Sequence, residues 1–86
     1  MMYETMTLSA LPLGESAYVT YISVRPDMAH RLADLGLVPG TRVTCLARSP
    51  TGNPAAYLIR GSLIALRQND ADGVHLTCKR MEAADS

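Results

Sequence analysis

Residues 30–41 read His30-Arg31-Leu32-Ala33-Asp34-Leu35-Gly36-Leu37-Val38-Pro39-Gly40-Thr41, a helix ending that runs straight into a chain reversal. Upstream, Met28, Leu32 and Leu35 recur at three- and four-residue spacing, which predicts a short helix over 25–36. Pro26 suits its first position, where a missing N–H would have been an orphan anyway, and Asp27 complements the positive end of the helix dipole. Gly36 fits the residue just past the helix end, in the left-handed conformation that glycine enters without steric cost. Leu32 and Leu37 then occupy the two positions whose side chains touch in a Schellman cap. Pro39 and Gly40 take the second and third places of a type II turn, so the chain reverses between Val38 and Thr41.

Strand signals flank this block on both sides. Residues 16–24, SAYVTYISV, are rich in β-branched and aromatic types and predict the first main strand. Apolar residues fall on both of its faces, so the inward phase is expected to switch at a bulge, with Val19 and Ile22 inside. Residues 42–48 alternate Val43, Cys45 and Ala47 against Thr44, Leu46 and Arg48 as a second strand, and Ser49 to Pro54 follow as a loop. Two further strands, 55–60 and 63–67, are expected to be joined by Gly61-Ser62 in a type II′ hairpin. Residues 68–73 form a polar turn or single helical turn before a fifth strand, 74–79, and the tail from Arg80 is expected to fray. The reading is one domain spanning 1–86, ordered over about 8–79, mostly β. Its architecture is a small, partly open barrel of about five strands with a short helix inserted after the first main strand.

With 48% apolar and 19% charged residues, the 86-residue chain has the composition of a folded domain and not of a disordered segment. Eight basic and eight acidic side chains cancel, which argues against a nucleic-acid partner and leaves weak self-association open. Glu4 precedes any apolar stretch and no basic leader is present, so neither a signal nor a transit peptide is expected. No apolar run approaches the roughly 20 residues that span a bilayer. The expected location is cytoplasmic, with Cys45 and Cys78 reduced.

The residues offer little chemistry. Cys45 could pair with His30 or His75 as nucleophile and base, but it sits on the apolar phase of its strand, where cysteine acts as a small hydrophobe. Cys45, Cys78, His30 and His75 lack the spacing of local metal ligands, so no metal site and no cofactor are expected. Asn69 to Gly73 lack the later bidentate glutamate of a calcium loop. There is no glycine-rich phosphate loop with a lysine either. A proline-peptide groove would need an aromatic lining, and the chain has no Trp, no Phe and only 4 Tyr. The expectation is a binding module and not an enzyme.

The block from His30 to Thr41, followed by Val43, resembles the hallmark of the ferrous iron transport protein A (FeoA) family. Ser49-Pro50-Thr51-Gly52-Asn53-Pro54 is similar to that family's proline-x-glycine-aspartate-proline loop, with Asn53 in place of the usual aspartate. Gly61 to Arg67, with Ala71, resembles its last shared block. The resemblance implies an SH3-like barrel in the bacterial cytoplasm. It also implies a partner: FeoB, the membrane ferrous iron transporter with a cytoplasmic GTP-binding domain. A related domain ends iron-dependent repressors, but no DNA-binding helices precede it in this sequence, so that role would need a separate partner. A peptide-binding adaptor is a further alternative.

On this reading the helix end and the turn after it form a docking surface at Arg31, Asp34 and Val38, with Asn53 and Pro54 as a second patch. Asp34 lies in the last helical turn, where a negative charge opposes the dipole at a cost of a few tenths of a kcal/mol, so it reads either as a tolerated surface charge or, with Arg31, as a charge presented to a partner. Leu32, Leu35, Gly36, Leu37, Pro39 and Gly40 are the framework that shapes the surface.

Overall fold

The computed structural model describes residues 5–78. The expected tail from Arg80, and Lys79 at the end of the last strand, lie outside the described residues. Along the chain run β1 (Thr5–Thr7), a 3₁₀ turn (Leu8–Ala10), β2 (Ser16–Ile22), α1 (Pro26–Asp34), β3 (Arg42–Arg48), β4 (Ala55–Ile59), β5 (Ser62–Leu66), α2 (Gln68–Ala71) and β6 (Val74–Thr77). All six strands join one antiparallel sheet in the order β1-β6-β2-β3-β4-β5. The sheet is open between β1 and β5, in keeping with a small, partly open barrel.

Among the described residues there are six strands, one more than the five read from the sequence. The addition is β1, whose three residues pair with β6 through Thr5↔Thr77, Met6↔Leu76 and Thr7↔His75. Three residues are too few to show an alternation, and β1 exists because β6 offers a free edge to pair with.

Helix α1 begins with Pro26 at its first position and Arg25 as the cap. Its end is the Schellman arrangement: the Leu37 N–H donates to the Leu32 carbonyl at 2.9 Å, and the Gly36 N–H to the Ala33 carbonyl at 2.9 Å. Gly36 has φ +96°, and Leu32 and Leu37 are both fully buried. The turn after it is type II, with Gly40 at φ +93° and the Thr41 N–H donating to the Val38 carbonyl at 3.0 Å.

Two bulges set which residues face inward. Between β2 and β6 the register shifts between Val19 and Tyr21, so Thr20 is the extra residue. Ala17 and Val19 are buried on one side of it; on the other, Tyr21 turns outward while Ile22 packs against the core. Between β3 and β4 a second shift falls between Cys45 and Ala47. Val43 and Cys45 point inward as expected, whereas Ala47 is exposed because the shift at Leu46 breaks the alternation.

The hairpin between β4 and β5 differs from expectation by one residue. Ile59 pairs with Ser62, so the two-residue loop is Arg60-Gly61 and not Gly61-Ser62. Both loop residues have positive φ, +50° and +84°, which is type I′ and not type II′ geometry. Arginine adopting this conformation is what hid the register.

The core gathers Val19, Val43, Tyr57, Ile59, Val74 and Leu76 from the strands. Leu8 and Leu11 close it from the segment after β1, Leu32 and Leu37 from around α1, and Ala71 from α2. Each fully buried leucine contributes about 1.5–3 kcal/mol relative to exposure. Gly73 sits where an added Cβ would collide with Val24 and the Ser23 carbonyl, so that close approach lets the Ser23 N–H donate to the Gly73 carbonyl at 2.7 Å.

Candidate functional site

Arg31 and Asp34 are both exposed on α1. Among the described residues neither forms an ion pair; the pair found, Arg25 Nε to Asp27 Oδ1 at 3.8 Å, lies at the other end of the helix. Val38 is half-buried and lines a groove of about 510 Å³. Two turns border this groove, Val38–Thr41 and Arg60-Gly61, and Arg42, Thr44 and Leu58 complete it from β3 and β4.

The sheet register explains the grouping. Val43 and Ile59 are partners, so Arg42, one step before, and Arg60, one step after, emerge at adjacent places at the same end of β3 and β4. Thr44 and Leu58 are the next outward-facing pair. Backbone hydrogen bonds tie the Pro39-Gly40 turn to β2: the Gly40 N–H donates to the Val19 carbonyl at 2.7 Å, and the Val19 N–H to the Thr41 carbonyl at 2.9 Å. The Thr41 hydroxyl donates to the Gly36 carbonyl at 3.0 Å, joining the turn to the helix cap. On the far side the Arg60 stem lies over Gly36, in the space that a Cβ there would take. Helix cap, type II turn and hairpin are thus one rigid corner.

Asn53 and Pro54 are exposed but precede β4, whereas Arg60 follows it. The two candidate patches therefore sit at opposite ends of a five-residue strand, roughly 17 Å apart. The Asn53 side-chain oxygen accepts the Gln68 N–H at 2.9 Å, which satisfies an orphan donor at the start of α2. An amide oxygen fills that place as well as a carboxylate would, so the local fold needs no charge at this position.

Of the framework residues, Leu35 is the C-cap of α1 and 38% exposed, and Pro39 and Gly40 are exposed in the turn. Arg42, Leu58 and Arg60 were not singled out from the sequence. Their grouping depends on register, and placing the hairpin loop one residue late made Arg60 the end of a strand.

Cys45 is buried with the core, and Cys78 is exposed; both thiols are free. The His75 ring stacks on its strand partner Tyr21, with centroids 4.2 Å apart and planes within 6°. Among the described residues no group of three or more His, Cys, Asp or Glu side chains converges on a point where a metal ion could sit. Nor is any helix among them long and apolar enough to cross a membrane. Tyr57 is buried and its hydroxyl donates to the Leu8 carbonyl at 3.3 Å. Burial pushes its pKa above the usual 10.0, against an opposing pull from Arg48.

Comparison with known proteins places this geometry in context. The family model described as the FeoA domain matches residues 6–78. Among solved structures, the FeoA protein of Chlorobium tepidum is 34% identical over 93% of this chain and 74% of its own, with a TM-score of 0.80. The zinc-complexed FeoA of Stenotrophomonas maltophilia is 36% identical over 83% of this chain and 88% of its own, with a TM-score of 0.73. That protein is described as a prokaryotic SH3-domain protein and put forward as an activating factor of bacterial ferrous iron transport. A manganese-dependent transcriptional repressor shares the fold at 21% identity and a TM-score of 0.81, with this chain spanning 44% of it. A search of curated protein sequences gave no match.

Proposed function

This chain belongs to the FeoA family, and from that premise we propose that it is a cytoplasmic, non-enzymatic accessory protein of ferrous iron uptake that docks on the cytoplasmic GTP-binding region of the FeoB transporter. The observation that carries the reading is the family match, which runs from within β1 through β6. The rigid corner around Val38 supports the docking role, because a surface fixed by backbone hydrogen bonds loses little entropy when a partner binds. Arg31 and Asp34 present unpaired charges, and Asn53-Pro54 is kept as a second patch. Titrating the chain with the cytoplasmic domain of its cognate FeoB, with and without guanine nucleotide, tests the reading; saturable binding is expected, and its absence in both states would overturn it. The shared fold of the manganese-dependent repressor favours a second reading, a regulatory domain that works with an iron-dependent repressor, which a DNA-binding assay in mixed extracts would detect.

A further inference from the structure

We propose that the groove between the Val38–Thr41 and Arg60-Gly61 turns receives an extended, acidic, leucine-bearing segment of a protein partner, whose carboxylates pair with Arg42 and Arg60. The partner's identity rests on the docking role proposed above; the chemistry of the groove does not.

Charge is the first argument. Arg42 and Arg60 are the charged residues that line the groove, and no acidic side chain lines it. Among the described residues neither has an ion-pair partner. Among the described residues, Arg42 donates to the Ser16 hydroxyl at the long distance of 3.5 Å, and the Arg60 guanidinium finds no hydrogen-bond acceptor. Arg42 and Arg60 leave the same end of neighbouring strands and both line the groove, and among the described residues no carboxylate pairs with either. A planar fork matched to carboxylates is what arginine brings to such a place.

Shape and polarity narrow the partner further. Arg60 is held by its stem over Gly36 and by its turn, so it is positioned before any ligand arrives. Leu58 lines the groove 37% exposed, and its register partner Leu63 is 64% exposed on β5, which ends the sheet. An extended segment presents every second side chain to one face, so a segment with glutamate and leucine taking turns along that face can set carboxylates on the arginines and lay leucines against Leu58 and Leu63. Nucleic acid fits less well, because two arginines beside exposed leucines give neither a basic stripe nor a phosphate track.

The probe is a capped octapeptide of sequence Glu-Ser-Leu-Ser-Glu-Ser-Leu-Ser, which puts glutamate and leucine on one face when extended, titrated into the full chain by calorimetry and amide NMR. Shifts are expected at residues 38–42 and 58–63, with binding that weakens as salt rises. Arg42→Gln and Arg60→Gln should each weaken it about tenfold, the effect of one charge-assisted hydrogen bond. Arg60→Lys, which keeps stem and charge, should retain part of the affinity while melting like the wild type. Shifts confined to other surfaces, or a folded double glutamine variant that binds like the wild type, would overturn the proposal. So would an oligothymidylate that binds more tightly than the peptide with the same arginine dependence. If the cognate FeoB domain binds the double variant unchanged, the groove falls and the docking role stands; if the peptide binds as described and FeoB does not, the groove stands and the docking role falls.

Discussion

At the scale of single residues, the corner is built on Gly36. Its φ of +96° is strained for any residue with a side chain, and a Cβ there would have to displace the Arg60 stem. Gly36→Ala is therefore expected to cost about 1 kcal/mol or more, as strain at positive φ plus displacement of Arg60. Thermal or chemical denaturation checks it, and an unchanged melt would rule out the cap as drawn. Leu32→Ala should cost about 2–5 kcal/mol, because Leu32 is fully buried beneath the same cap. Tyr57 supplies a pH test. Its folded pKa lies above the unfolded value of 10.0, so the folded state holds its proton more tightly than the unfolded state does. That contribution is fully present below pH 10 and is lost as pH rises through the folded pKa. Wild type should thus lose stability relative to Tyr57→Phe above about pH 10. At neutral pH the Phe variant should lose only about 0.5–1.5 kcal/mol, because the Leu8 carbonyl keeps its bond from the Leu11 N–H at 3.1 Å. Parallel denaturation curves at pH 8 and pH 11 would show the crossover or its absence.

At the scale of elements, local chemistry was legible and register was not. Pro26, Gly36 and the Pro39-Gly40 pair each constrain their own backbone, and helix, cap and turn stand where the sequence puts them. The bulge in β2 was legible too, because apolar residues on both faces can be buried on one side only if the phase slips at Thr20. Three features depended on partners distant in sequence. The β1 strand needs the edge of β6, the shift at Leu46 needs β4, and the hairpin loop moved by one residue because nothing local marks Arg60 for a left-handed conformation. The site followed the same division: Val38 was legible from the turn, whereas Arg42 and Arg60 meet only through the pairing of Val43 with Ile59. Helix α1 also carries a test that separates binding from folding. Asp34 in the last turn opposes the dipole, so Asp34→Lys should hold or raise stability by a few tenths of a kcal/mol. The same change, and Arg31→Glu separately, should weaken FeoB binding in a salt-dependent manner. Variants that bind normally would move attention from α1 to the groove and to Asn53-Pro54.

At the scale of the whole molecule, one small sheet closes a single core and leaves function to the surface. Cys45, Cys78, His30 and His75 lack the spacing of local metal ligands, and on that ground the protein is expected to hold no stoichiometric iron or zinc after chelation and dialysis. Elemental analysis finding about one equivalent, lost on changing Cys45 or His75, would contradict that expectation. The eight acidic and eight basic residues cancel overall, yet Arg42 and Arg60 concentrate positive charge at one corner of the sheet. Local arrangement and not net charge would then guide the choice of partner. On the function proposed above, this corner and the adjoining helix dock on the transporter. Calorimetric titration of the full chain into the cytoplasmic domain of its cognate FeoB, in nucleotide-free and GTP-analogue states, tests it most directly. Saturable binding in at least one state, weakened by Arg31→Glu and by Asp34→Lys in chains that melt normally, is the predicted result; no binding in either state, or binding indifferent to both substitutions, would contradict it.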